Sequence, residues 1–272
     1  MRLSAPRPRL EFHRPIPGEE LIQFEHLKKS FGPKRVFDGL DLTVKAGETL
    51  VVIGGSGSGK SVLLKCLIGL LRADAGRILF QGQDLMHFRE EDYFAVRRHV
   101  AMVFQGSALF DSLTVGENVA YPLREHFPEL SPEEVAHRVA EKLSWVDLPG
   151  TEGMMPADLS GGMRKRVGLA RAIATEPAVI LWDEPTTGLD PVTTQNINAM
   201  INSMKQRLGC TSIVVTHDMV SAFTVADRIA MLANRRIVQV GTPEEMRRST
   251  VPEVRAFLDA RRAELEPGEV AL

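Results

Sequence analysis

The sequence lacks the marks of several large protein classes. It has only two cysteines, Cys66 and Cys210, set inside apolar helix-like and strand-like patterns. They lack the spacing of a metal site and read as core thiols of a reducing compartment, not as a disulfide framework. No apolar run nears the ~20 residues that a membrane-spanning helix needs; the stretch at residues 62–71 is broken by Lys65. Residues 1–20 hold arginines and prolines without an apolar centre, so they are not a secretory leader. There is no basic excess either. The formal net charge is −2 over 272 residues, which argues against a nucleic-acid binder. No internal repeat is visible. These absences leave a cytoplasmic globular protein of one large or two small domains, which reaches a membrane only through a partner. Its 44% hydrophobic residues allow a sizeable core.

What is present centres on Gly54-Gly55-Ser56-Gly57-Ser58-Gly59-Lys60-Ser61. An apolar run at residues 49–53 reads as a buried strand before it, and residues 62–70 read as a helix after it. That context fits a phosphate loop. Glycines let consecutive backbone N–H groups turn inward around phosphates, and the helix start adds its positive dipole end. Lys60 is placed to reach the β- and γ-phosphates, and the Ser61 hydroxyl to take a Mg²⁺ position.

The rest of the chain supplies a frame for this loop. Residues 1–20, with Pro6, Pro8, Pro15 and Pro17, are expected to be a disordered tail. Strands are expected at 21–27, 39–44, 49–53, 76–81 and 100–104, with Phe31 in the first connection. Residues 105–160 look mostly helical, like an inserted subdomain; Ser131-Pro132-Glu133-Glu134 is a capping-box helix start there. An α/β texture then returns, with helices at 161–175 and 191–208 and strands at 178–182, 211–215, 229–233 and 236–240. Thr242 starts a helix by the same capping logic. A last helix is expected over 252–264, starting at Thr250. Its stripe of Val254, Phe257 and Leu258 fits packing on its own domain or docking on a neighbour. Residues 265–272 read as a loose tail.

Two further stretches carry chemistry. The apolar strand ending in Asp183 delivers a carboxylate where ligands bind in open α/β sheets, and Glu184 follows, free to polarise water. Leu159-Ser160-Gly161-Gly162-Met163 opens a helix with Ser at the N-cap, a second anion-binding terminus. The Arg164-Lys165-Arg166 cluster after it fits an anion-facing role or a plain solvated face.

The phosphate loop, residues 159–163, Asp183-Glu184, Gly188-Leu189-Asp190 and Thr216-His217-Asp218 occur in that order. Together they resemble the nucleotide-binding subunit of an ATP-binding cassette (ABC) transporter over residues 21–241. The resemblance implies an α/β P-loop NTPase cassette with a mostly parallel sheet, an antiparallel β portion and an inserted helical subdomain. Residues 242–272 would add C-terminal helices and a tail. It implies ATP and Mg²⁺ as ligands. Phe31 would stack on adenine, where many members have Tyr. Gln105 would touch Mg²⁺ and the attacking water, Asp183 would hold Mg²⁺, Glu184 would be the base, and His217 would contact the γ-phosphate. Asp190 would signal across a head-to-tail homodimer. There Ser160, Gly161, Gly162 and Met163 would cap the ATP held by the other subunit. Met163 departs from the commoner Gln.

Residues 104–119 and 159–167 are similar, more narrowly, to the Mla-type subfamily, which powers phospholipid traffic between inner and outer membranes. That likeness implies an integral membrane permease, an MCE-domain subunit and a STAS-domain protein as partners. It implies a peripheral place on the inner face of the inner membrane. Two other readings stay open: a transporter of amino acids, polyamines or drugs, or a soluble non-transport ABC ATPase.

Overall fold

In the computed structural model, residues 12–261 are described. The chain opens with a long hairpin, β1 (Glu20–Phe31) and β2 (Lys34–Lys45). Next come β3 (Thr49–Ile53) and α1 (Lys60–Leu67), then β4 (Ala75–Phe80), β5 (Gln83–Asp84), α2 (Glu90–His99) and β6 (Val100–Val103). Helices α3 (Val115–His126), α4 (Pro132–Trp145) and α5 (Gly161–Ile173) follow. The second α/β run is β7 (Val179–Asp183), α6 (Pro191–Leu208), β8 (Thr211–Val215) and α7 (Met219–Val225). The hairpin β9 (Arg228–Ala233) and β10 (Arg236–Gly241) precedes α8 (Pro243–Arg247) and α9 (Pro252–Asp259).

The strands make two sheets. One is antiparallel, in the order β2-β1-β4-β5; the other runs β10-β9-β3-β8-β7-β6. In the larger sheet every neighbouring pair from β9 to β6 is parallel, and only β10 is antiparallel. Parallel strands are covered on both faces, so they read as unbroken apolar runs. Strand β3 illustrates this. Val51 and Ile53 join the core shared with the helical part, while Leu50 and Val52 join the core shared with α1 and the antiparallel sheet. Alternation of Cβ direction along one strand thus welds the two cores. Because β3, β6, β7 and β8 run the same way, residues 54–61, Gln105, Glu184 and His217 all leave from one edge of the sheet.

Several expectations need correction. Residues 12–19 are not a loose tail. Phe12 lies 4.8 Å from Phe80 and 5.5 Å from His99, ring centre to ring centre. His13 and Gln81 exchange two hydrogen bonds, and Gly18 N–H donates to Ala46. A proline-rich segment needs no regular structure to be anchored by one aromatic ring and an edge contact. Residues 1–11 and 262–272, including the expected loose tail at 265–272, lie outside the described residues. Phe31 closes β1, paired with Lys34, and does not sit in a connection. Helix α2 escaped notice because only Tyr93 and Val96 of its residues are buried, too few to set a period. Residues 105–114 are not helical. Helix α9 ends at Asp259, and its N-cap is Val251, not Thr250. Val254, Phe257 and Leu258 are buried in the chain's own core, which settles their role in favour of self-packing.

Candidate functional site

A cleft of about 450 Å³ opens over the loop between β3 and α1; Phe31, Lys60, Ser61, Gln105, Glu184 and His217 all line it. The loop is clamped from two sides. A Cβ on Gly54 would lie 2.5 Å from the Leu232 carbonyl oxygen, and one on Gly59, where φ is +110°, would lie 2.4 Å from Val36 Cγ1. Both glycines are therefore demanded by the packing of β9 and β2 against the loop, quite apart from any phosphate. Ser56, Gly57, Ser58 and Gly59 line the cleft too, while Gly54 and Gly55 hold the loop from behind through their carbonyls.

Lys60 folds back over its own loop. Its Nζ donates to the Gly54 carbonyl at 2.9 Å and to the Gly55 carbonyl at 3.3 Å, and stands 3.8 Å from Glu184 Oε1. Burial pulls its ammonium below the ordinary lysine range, and the Glu184 carboxylate works against that. An incoming polyphosphate offers this buried charge a better partner than carbonyls do. The Ser61 hydroxyl donates to Asp183 Oδ1 at 2.5 Å. Asp183 ends β7 and is buried. Two hard oxygen donors side by side at a phosphate loop suit Mg²⁺. Among the described residues no group of three or more carboxylate, His or Cys side chains is arranged to hold a metal ion by itself. The remaining ligands of such an ion would come from phosphate oxygens and water.

Glu184 is held in an unusual way. Its φ is +50°, a left-handed conformation rare for a long side chain, and its N–H donates to the Val215 carbonyl of β8 at 2.9 Å. Three donors converge on Oε2: Thr187 Oγ1 at 3.1 Å, His217 N at 3.3 Å and His217 Nδ1 at 2.8 Å. An ionised carboxylate only accepts, so Nδ1 carries the proton of that last bond. The other oxygen, Oε1, faces Lys60. A carboxylate fixed on one oxygen is oriented for proton transfer with the other.

Gln105 reaches the cleft from the end of β6, and the segment after it is tied to the helices. Ser107 and Ala108 have φ of +63° and +47°. Their carbonyls both accept from Arg171 of α5 at 2.9 Å. Asn118 of α3, fully buried, takes the Phe110 N–H on Oδ1 and donates Nδ2 to the carbonyls of Phe110, Leu113 and Thr114. Sequence reasoning gave no role to Arg171, which lies outside every motif, or to Asn118, which lies within the 104–119 stretch but was not singled out. It missed Lys34 and Val36 as well, which line the cleft beside Phe31.

The helix start at Ser160 stands apart. Ser160, Gly161, Gly162 and Met163 do not line the cleft of their own chain. Ser160 is exposed and caps α5 by accepting from Met163 N–H at 3.2 Å. Asp190 is also outside the cleft; it caps α6, accepting from Val192 N–H, Thr193 N–H and Thr193 Oγ1. The Thr193 bonds hold its carboxyl below the usual range. Each of the three basic residues after Met163 is tied to backbone carbonyls, with Arg164 exposed and Lys165 and Arg166 partly buried. Arg164 donates to the Leu159 carbonyl, Arg166 to those of Val146 and Asp147, and Lys165 to those of Pro185 and Thr187.

A family profile described as ABC transporter matches residues 37–187. The probable ribonucleotide transport ATP-binding protein mkl of Mycobacterium tuberculosis is 42% identical over 241 residues, 89% of this chain and 67% of its own. The intermembrane phospholipid transport system ATP-binding protein MlaF of Escherichia coli is 38% identical over 239 residues, 88% of each chain. A solved dimeric ATP-binding cassette in a post-hydrolysis state, bound to ADP and Pi, superposes with a TM-score of 0.76 at 30% identity. It covers 82% of this chain and 99% of its own.

Proposed function

The chain belongs to the ABC transporter family and is an ATP-binding, ATP-hydrolysing subunit; from that premise we propose that it drives phospholipid transport between the inner and outer membranes. The observation that carries the cargo is the 38% identity with the phospholipid-system relative over 88% of both chains. The similarity of residues 104–119 and 159–167 to the Mla type supports it. ABC cassettes act as dimers with membrane permeases. For this chain the reading is a head-to-tail homodimer on a permease at the inner face of the inner membrane, with MCE-domain and STAS-domain subunits. The exposed Phe110–Tyr121 pair, rings 4.9 Å apart, is proposed to face the permease. The division that follows is an ATPase domain at 21–241, its helical arm at 105–160, and a C-terminal addition from 242.

Within the cleft, Phe31 is proposed to stack on adenine, and residues 54–60 to hold the phosphates. Ser61 and Asp183, with Gln105, would hold Mg²⁺, which would offset phosphate charge. Glu184 serves as the base for water, with His217 and Gln105 beside it. Ser160, Gly161, Gly162 and Met163 cap the partner's nucleotide, and Asp190 connects the two sites. Glu184→Gln is expected to keep ATP binding and lower turnover roughly 10²–10⁴-fold, the worth of a positioned base. Unchanged steady-state hydrolysis would remove Glu184 from that role.

The cargo is tested by purifying the chain with its permease from membranes and identifying bound lipid by mass spectrometry. Enriched phospholipid is expected. The 42% identity with a relative named for ribonucleotide transport favours a second reading, the same ATPase serving another cargo. A complex free of lipid that hydrolyses faster with a polar solute would establish it.

A further inference from the structure

Lys165 is the unexplained member of the basic trio. It is the fifth residue of α5, two beyond Met163, and its Nζ donates to the Pro185 carbonyl at 3.0 Å and the Thr187 carbonyl at 2.7 Å. Among the described residues no carboxylate pairs with it, and burial pulls its ammonium below the ordinary lysine range. A half-buried charge held only by carbonyls is a costly way to fasten a loop, since a neutral donor would do. Its target explains the choice. Residues 185–187 follow Glu184 directly, and Thr187 Oγ1 donates to Glu184 Oε2 at 3.1 Å. The helix that carries Ser160 and the carboxylate in the cleft are thus two links apart, through one lysine.

We propose that Lys165 is a positioning residue that fixes Glu184 according to the seating of α5. It would make the state of one half-site, where Ser160 caps a partner's nucleotide, felt at the chain's own cleft. This rests on the reading of Glu184 as the base and of Ser160 as a cross-subunit cap. Backbone carbonyls suit the task because an ammonium can slide between two of them as α5 shifts. A carboxylate partner would pin it.

The test uses the full chain with its permease. Lys165→Met is expected to lower kcat roughly 10–100-fold, the loss typical of a misplaced catalytic group, with ATP affinity and melting temperature close to wild type. Lys165→Arg, which keeps donors within reach, should recover most of the rate. Thr187→Val should lower kcat also, and the Lys165→Met, Thr187→Val double variant should fall short of the product of the two losses, as linked residues do. An unchanged kcat in Lys165→Met, a parallel fall in affinity and melting temperature, or strict additivity would each overturn the proposal. Glu184→Gln, assayed alongside, reports on the premise. Lost turnover there with an intact Lys165→Met rate refutes the lysine alone; full turnover in both refutes the base as well.

Discussion

Phe31 is held from behind. Its ring is 45% exposed and lines the cleft, while Lys29 Nζ sits 4.9 Å from the ring centre and is not part of the cleft lining. Asp74 fixes that lysine at 3.1 Å and takes the Ser30 N–H at 2.6 Å. The cation occupies one π face and leaves the other for a base. Lys29→Met is expected to raise KM for ATP about threefold to tenfold, the worth of a partly desolvated cation–π contact, with kcat nearly unchanged; steady-state kinetics will read the split. The contrast between Phe31 and Lys29 shows what the sequence made legible. Phe31, the 54–61 loop, Asp183, Glu184 and His217 sit at fixed offsets from strand ends, so a linear reading can find them. Lys29 and Asp74 act through folds in the chain and no motif marks them; Thr187 and Lys165 lie beside motifs, yet their partners, Glu184 and the carbonyls of residues 185 and 187, become visible only in the fold.

At the scale of elements, the non-helical segment after Gln105 is the least regular part of the site and the most tightly tied. Asn118 satisfies four backbone groups of residues 110–114 from a fully buried position. Asn118→Ala would take the side-chain partner from the Phe110 N–H and the Leu113 carbonyl, while the Phe110 and Thr114 carbonyls keep the Leu113 and Asn118 N–H groups as donors; the expected cost is about 1–3 kcal/mol. Urea denaturation should show this as a lower midpoint. ATP hydrolysis should weaken with it, because Gln105 hangs from the same segment. The regular elements were easier to foresee. Helix α6 and strands β3 and β8 fall where capping residues and apolar runs put them: Asp190 caps, Pro191 starts and Gly209 closes α6 in a left-handed turn. Helix α2 and the anchored residues 12–19 were not foreseeable, since each depends on a few contacts with distant residues such as Phe80 and Ile68.

For the whole molecule, Ser160 stands apart from its own cleft, and on the composite-site reading proposed above a single copy would lack the cap. Placing an arginine at this exposed cap should block closure of two copies around ATP. In a Glu184→Gln background, light scattering with ATP is expected to show a dimer, and the added Ser160→Arg change a monomer. A dimer that persists would sink the composite site. The same separation fixes a rate law. If hydrolysis needs two chains, a dilute free subunit turns over with an order in protein above one, and its activity per chain fades on dilution. A permease that binds two copies replaces that dependence with a high local concentration. Stray subunits would then leave cellular ATP untouched, and hydrolysis would be confined to assembled transporters without any inhibitor.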